Sequence, residues 1–360
     1  MIDFRSDTVT RPTPAMQKVM YQAPLGDDVF SDDPSINALQ EFAADKFGFA
    51  GALFAPSGTM TNLIALMSHC QRGDEAIVGQ NWHTYKWEGG GMAVLGSIQP
   101  QPLPHQNDGS IALADIAGAI KPDDAHFAKT RLIVIENTTG GQVLPLGYMR
   151  EVSEFAKQKQ LNSHIDGARI MNAAVALATQ QKGEIWQVAK ELVAGYDSIS
   201  VCLSKGLGAP VGSLLLGDLD FLKRAKRIRK MLGGGMRQAG MLAAAGQFAL
   251  THHVERLAED HLHAMRLANE LHVIAEDLRL GDNFLVSAPQ TNIIFCDLNS
   301  KLAEYFVAEL ATVGILCISS SYQAVNSARC KLRFVTHLDI SKADIDTTIN
   351  HARRILAAYK

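Results

Sequence analysis

The sequence predicts an α/β protein, with a large domain built on a mostly parallel sheet and a smaller α+β domain after it. Three observations carry this. Short apolar runs alternate with helical stretches through the first part of the chain, the pattern of parallel strands joined by helical crossovers. After a long helix that starts near Gly240 the pattern changes to short strands and two further helices. The chain has 360 residues, of which 47% are hydrophobic and 20% charged, so it is long enough for more than one domain and has the composition of a soluble globular protein.

The elements follow in order. Residues 1–24 show weak periodicity and read as an extended arm that must pack on something to be ordered. The first helix is capped by Asp33, opens on Pro34 and ends at Gly48, with Ile36, Leu39, Phe42, Ala43 and Phe47 on one face. The run Ala52-Leu53-Phe54 then leads through Pro56-Ser57-Gly58-Thr59 into a second helix. Ala76-Ile77-Val78, Leu132–Ile135, Ser163–Asp166 and Ser198–Leu203 read as further strands, with helices around 149–159, 168–178 and 185–194 between the later ones. Val211–Leu216 follows Leu203 too closely for a helical crossover and is expected to be antiparallel. Beyond a helix that runs from Gly240 past His261, strands are expected at Ile293–Cys296, Ile315–Ile318 and Leu332–Val335, and helices at Leu302–Val313 and Lys342–Ala358. The expected division is an arm over 1–24, a large α/β domain over 25–254 and a small α+β domain over 255–360.

Charge and motifs exclude several functions. A net charge of -3 gives no bulk attraction to nucleic acid or to an anionic membrane. The five cysteines are scattered and show no CxxC, so they read as buried thiols in a reducing compartment. The N-terminus is charged from Asp3 and does not read as a signal peptide, and no apolar run approaches the ~20 residues that span a bilayer. A cytoplasmic protein is expected. Neither GxGxxG, nor a P-loop, nor HExxH appears, and no bound metal is expected.

Several residues carry chemistry in combination. Lys205 follows an apolar strand, after Ser204 and before Gly206-Leu207-Gly208. Partial burial lowers a lysine pKa and makes the neutral amine a nucleophile toward aldehydes; alone, the residue reads first as a solvated loop lysine, and its partners decide. Asp166 ends a predicted parallel strand, where open α/β sheets bind ligands. A carboxylate there can hold the proton of a pyridine nitrogen, or simply cap a helix. The turn Ser57-Gly58-Thr59 presents helix-start amides to a single phosphate, or is merely a good helix start. His83 can stack on a ring or move protons, although a lone histidine is more often structural, and His126 carries the same ambiguity. The order of anion turn, histidine, aspartate and lysine on one alternating sheet is more specific than any member of it.

At this point the chain resembles the low-specificity L-threonine aldolases, fold-type I (aspartate aminotransferase-like) enzymes of pyridoxal 5'-phosphate (PLP) within the β-eliminating lyase group. The resemblance spans nearly the whole length. It rests on Asp3–Thr10, Gly26–Phe30, Pro56–Thr59, Gly96–Pro100, His164–Arg169, Cys202–Gly208, Gly233–Gln238 and Arg333–His337. It implies that Lys205 forms the internal aldimine, that Asp166 pairs with the pyridinium nitrogen and that His83 stacks on the ring. Gly58 and Thr59 would hold the phosphate beside Ser57, with Ser204 assisting and Arg237 reaching in from a neighbouring subunit. Ser6, Arg169 and Arg333 would bind the substrate carboxylate, and His126 of a neighbouring subunit would sit near the substrate hydroxyl. The implied reaction is retro-aldol cleavage of threonine, allo-threonine and related β-hydroxy-α-amino acids to glycine and an aldehyde. The implied assembly is a homotetramer, a dimer of dimers with shared active sites. Another PLP-dependent β-eliminating lyase of the same fold, or an inactive PLP-binding paralogue, would share most of these motifs.

The chain departs from the family pattern at two places. Glu136-Asn137-Thr138 is followed by Thr139-Gly140-Gly141, where His and Asn are commoner, and Trp82 and Trp87 flank His83.

Overall fold

The computed structural model describes residues 1–319 and 328–359. The chain divides into two compact units. One comprises Pro12–Ser204 and Ala209–Val254; the other comprises Met1–Arg11, Lys205–Gly208 and the chain from Glu255 onward. The first eleven residues therefore group with the C-terminal unit, while residues 12–24 group with the large one.

In chain order, β1 (Ile2–Asp3) belongs to the smaller unit and α1 (Pro14–Gln22) opens the larger. The larger unit continues through α2 (Pro34–Phe47), β2 (Gly51–Ala55), α3 (Gly58–His69), β3 (Asp74–Gly79), α4 (His83–Lys86), α5 (Gly91–Val94), β4 (Gln99–Leu103) and α6 (Leu113–Ala119). Then come β5 (Lys129–Glu136), α7 (Leu146–Gln158), β6 (Asn162–Gly167), α8 (Ile170–Gln181), α9 (Ile185–Val193), β7 (Ser198–Cys202), β8 (Ser213–Gly217), α10 (Leu219–Met231) and α11 (Gly240–His252).

The seven-stranded sheet has the order β2-β8-β7-β6-β5-β3-β4. Strands β4, β3, β5, β6 and β7 run parallel, and β8 is antiparallel to both β7 and β2, as its short connection requires. The central strands are buried along their length, with Ile133, Val134, Ile135, Ile165 and Ile199 each 0% exposed. β4 is absent from the sequence reading because it contains Pro100 and Pro102. It lies at the sheet edge, where a missing N–H leaves no ladder partner unmet. Its Gln99 and Gln101 side chains join buried Glu75 and Lys121 in one polar cluster.

The ends of α2 show why the local signals work. Gly48 closes it with φ 77°, a left-handed cap that glycine adopts without steric cost. At the other end, the fully buried Asp33 caps the helix through Ser35 N and Ile36 N, at 3.1 and 3.0 Å. Its second oxygen accepts from Gly26 N and Gly240 N, at 3.2 and 3.0 Å. A Cβ on Gly240 would stand 2.6 Å from this carboxylate, so only glycine lets the start of α11 approach it. One side chain thus ties together a turn, α2 and α11.

The long helix expected from Gly240 past His261 is two helices, because the chain turns at residues 253–256 before α12 (Leu257–Asp277) begins. Near the end of α11, Thr251 Oγ1 donates back to the Gln247 carbonyl at 2.8 Å, a bond that bends helices.

The smaller unit is built on α12, β9 (Phe284–Val286), β10 (Ile293–Asn299), α13 (Ser300–Thr312), β11 (Ile315–Leu316), β12 (Ile318–Ser319), β13 (Arg329–Val335) and α14 (Lys342–Ala358). An antiparallel sheet, β12-β13-β10-β9, packs against the three helices over a core that includes Leu267, Leu271, Ile294, Phe306, Leu332 and Ile345. The single strand expected over 315–318 is split: β11 pairs with β1 in parallel and β12 pairs with β13. Phe4, just after β1, is fully buried with its ring edge-on to Phe334 at 5.9 Å. Among the described residues, no helix is long and apolar enough to cross a membrane.

Asp33→Ala leaves backbone amides from three segments without an acceptor, and we expect a loss of about 3 kcal/mol or more in urea unfolding. A loss below 1 kcal/mol, the low end for a simple cap, would contradict this reading of Asp33.

Candidate active site

The larger unit places a buried carboxylate at the carboxyl end of β6. Asp166 is 1% exposed and pairs in the sheet with Glu136 of β5 and Ser200 of β7. Its Oδ1 accepts from Ala168 N at 3.1 Å and its Oδ2 from Asn62 Nδ2 at 2.9 Å. The same Asn62 nitrogen donates to Glu88 Oε1, also at 2.9 Å. Glu88 in turn bonds His83 Nδ1 at 2.8 Å. A ring nitrogen of His83 and carboxylate oxygens of Glu88 and Asp166 lie within 4.8 Å of one another. Burial pushes the Glu88 carboxyl above its ordinary pKa and the nearby Asp166 adds to this, against the hydrogen bonds from His83 and Asn62.

His83 opens α4, with its side chain 41% exposed and its backbone N–H on Glu136 Oε2 at 2.5 Å. The two departures from the family pattern meet here. Trp82 is fully buried, and its Nε1 donates to Thr139 Oγ1 at 3.0 Å, which itself donates to the Glu136 carbonyl at 2.8 Å. Trp82 thus packs inside, against Thr139 and His105, and is not a wall open to solvent. Trp87 is 54% exposed.

Ser57 caps α3, accepting from Met60 N at 3.2 Å, and Gly58 and Thr59 begin the helix. Ser57 and Thr59 are exposed, so the first amides of a twelve-residue helix face outward beside two hydroxyls, a fit for an anion. A Cβ on Gly58 would meet only Cys202, at an ordinary 3.9 Å, so packing does not require the glycine. Ser204, just past β7, lies 3.5 Å from Cys202 Sγ. Arg169 is the half-buried residue before α8. Arg237 is exposed, with Nη1 3.5 Å from Asp27. His126 sits on an exposed loop with its ring bonded to Asp124, two residues away.

Three of the remaining candidates belong to the smaller unit. Lys205 is half-buried and begins a tight turn in which its carbonyl accepts from Gly208 N at 2.8 Å. Ser6 caps the short turn over Asp7–Val9, and Arg333 Nη2 donates to the carbonyl of the adjacent Arg5 at 2.9 Å, so Ser6 and Arg333 are brought close together. Beside Gly206 lies Asp260, fully buried, bonded through Oδ1 to Arg256 and with no hydrogen bond to Oδ2 among the described residues. Burial pushes its carboxyl up to about 7, with Asp7 and Glu259 contributing, while Arg256 pulls it down.

Asn62, Glu88 and Asp260 are absent from the sequence reading. Asn62 and Asp260 are polar residues inside helical stretches, which read as solvent-facing positions. Glu88 stands only five residues after His83, but the two meet because α4 is a single turn. A histidine–carboxylate cluster, not visible as a linear spacing, is made by the fold.

A family model described as β-eliminating lyase matches residues 3–300 of the chain. The chain is 47% identical to the low specificity L-threonine aldolase of Escherichia coli K12, over 99% of its own length and all of the relative's. Among solved structures it is similar to the threonine aldolase of Leishmania major, with TM-score 0.81 at 20% identity, covering 99% of this chain and all of that one. It also shares its fold with a variant serine palmitoyltransferase from S. paucimobilis with bound PLP–myriocin aldimine, with TM-score 0.72 at 16% identity over 99% and 86% of the two chains.

The unfolded chain releases an aspartate proton near pH 3.9, whereas native Asp260 holds its proton to about 7. Native Asp260 therefore stabilises the fold at low pH and loses that contribution as pH rises through about 7. The buried, neutral histidines act in the opposite direction in both proteins, so the test is the difference: the urea midpoint of Asp260→Asn minus that of the native protein should rise with pH across this window. An unchanged slope in the variant would rule out Asp260 as the source.

Proposed function

The chain belongs to the β-eliminating lyase family, and on that premise we propose that it is a PLP-dependent aldolase that cleaves L-threonine, L-allo-threonine and related β-hydroxy-α-amino acids to glycine and an aldehyde. The observation that carries this is the buried Asp166 carboxylate, anchored by Asn62 at the carboxyl end of a parallel strand, in a chain 47% identical to a threonine aldolase over its full length. The residues fit PLP. Each Asp166 oxygen has a lone pair beyond the bond it already accepts, so the carboxylate can also take a ring N–H, and the start of α3 offers amides and hydroxyls to a phosphate.

PLP, when bound, supplies the electron sink that receives the Cα–Cβ bonding pair. The chain's own residues do the rest. Lys205 would hold the cofactor through its Nζ amine, which is a nucleophile toward aldehydes. Asp166 keeps the ring nitrogen protonated, and His83 stacks on the ring. Ser57, Gly58 and Thr59, with Ser204, hold the phosphate, and Arg237 of a second copy of this chain completes its neutralisation. Arg169 and Arg333 grip the substrate carboxylate through forked charge-assisted bonds, assisted by Ser6. His83, His126 of a second copy or a bound water takes the β-hydroxyl proton. Glu88, bonded at His83 Nδ1, fixes the orientation of that ring.

A homotetramer with shared sites and a cytoplasmic location belong to the same reading. Exposed Phe30, Trp87 and Phe127 supply apolar surface for such an assembly, and Phe127 is the neighbour of His126.

Lys205→Ala should lose the visible absorbance of the PLP-loaded protein and lower lyase activity by at least about 10³-fold, the scale of losing a covalent catalyst. The assay follows glycine and aldehyde from L-threonine, L-allo-threonine and phenylserine. A variant that keeps both band and activity overturns the proposal, and pyruvate plus ammonia as products would instead indicate β-elimination.

A further inference from the structure

Helix α3 carries the anion-binding turn at its start, Asn62 within its first two turns and His69 as its last residue. We propose that His69 is a positioning residue for Asp166, acting through Ser198, His164 and Asn62. This rests on the role proposed above for Asp166 and extends it to the residue that ends helix α3.

The relay is continuous. His69 Nε2 lies 2.7 Å from Ser198 Oγ, and Ser198 Oγ lies 2.8 Å from His164 Nδ1. His164 Nε2 lies 3.3 Å from Asn62 Oδ1, with Ser200 Oγ as a second neighbour at 3.5 Å. Asn62 Nδ2 then donates to Asp166 and Glu88. His164, Ser198 and Asp166 are each 0 to 1% exposed, so no solvent competes for these bonds.

The direction of every bond follows from chemistry. Carboxylates only accept, so Asn62 must present its NH₂ to them and its carbonyl to His164. His164 must then carry its proton on Nε2. Burial holds this imidazole neutral, so its Nδ1 accepts and the Ser198 hydroxyl donates. Ser198 has donated its hydrogen, so it accepts from His69 Nε2–H. Burial drops the His69 pKa to about 3, with Arg224 acting the same way and Asp218 against it, so this ring is also neutral. It is held in place by stacking on Phe221, centroids 4.5 Å apart and 23° between planes. All donors thus point one way, from His69 toward the two carboxylates. Aligned dipoles of this kind reinforce one another where the local dielectric is low. Losing the first donor frees the Ser198 hydroxyl to rotate and removes what selects the His164 tautomer, and the Asn62 amide loses its counter-bond.

The test compares PLP-loaded His69→Phe, His69→Gln, Ser198→Ala and Asp166→Ala with the native enzyme. Each is measured for PLP dissociation constant, the pH midpoint of the visible band, kcat and KM for L-threonine, and the melting temperature of the cofactor-free protein. His69→Phe keeps the ring and removes the donor, and should weaken PLP binding about fivefold and move the band midpoint by about half a unit. It should lower kcat more than it raises KM. Ser198→Ala breaks the same relay with little change of volume and serves if His69→Phe does not fold. His69→Gln, which retains a donor, should recover most of the loss. Native PLP affinity and band midpoint in His69→Phe and Ser198→Ala, alongside an impaired Asp166→Ala, overturn the relay while leaving the role of Asp166 intact. An Asp166→Ala variant that is also unaffected overturns both. A His69→Gln variant as impaired as His69→Phe marks His69 as merely structural and overturns the proposal.

Discussion

Two carboxylates, Asp166 and Glu88, are buried within reach of a single amide group, and the surrounding architecture answers to that fact. Neither can be left without donors in a low-dielectric interior, and burial, with the nearby Asp166 adding to it, raises the proton affinity of Glu88. Asn62 meets the requirement because an NH₂ has two hydrogens, one for each acid. This fixes the rotation of α3 about its axis, and with it the turn at Ser57. It also fixes the register of β6, because a shift of one residue would turn Asp166 to the other face of the sheet. Glu88 carries the constraint on to His83, so that carboxylate, imidazole and helix start share one rigid frame of polar bonds.

Much of the scaffold was legible where a local signal and the tertiary need agree. Asp33, Pro34 and Gly48 delimit α2, and the cap at Ser341 opens α14 over the expected residues. The short connection between β7 and β8 dictated an antiparallel strand. Reading failed where tertiary context overrides propensity. Pro100 and Pro102 argue against a strand until the strand is known to lie at an edge. A continuous apolar pattern hid the turn at residues 253–256, which a back-bonded Thr251 makes possible. Ile315–Ile318 looked like one strand, yet its halves pair with different partners, one of them the two residues of β1.

The candidate site was legible in a similar measure. Asp166, His83 and the Ser57-Gly58-Thr59 turn were found because each lies at an element boundary, where sequence patterns change. The supporting residues were not. Asn62 and His69 lie on one helix seven residues apart, and on sequence alone they are polar interruptions of an apolar helix. His164 and Ser198 sit inside buried strands, where periodicity records burial but not bonding. What a polar side chain does inside a protein depends on what stands opposite, and that is set by the sheet order.

The contact between Trp82 and Thr139 has a consequence for how such a chain can vary. Removing the indole leaves a cavity beside His105 and a hydroxyl lacking its donor. Removing the hydroxyl strands a buried indole N–H, at about 1–3 kcal/mol. The two positions therefore behave as one unit of inheritance, because each single change crosses a barrier that the double change avoids. Variation at this buried contact would come in matched pairs, and a library that samples one position at a time would miss it.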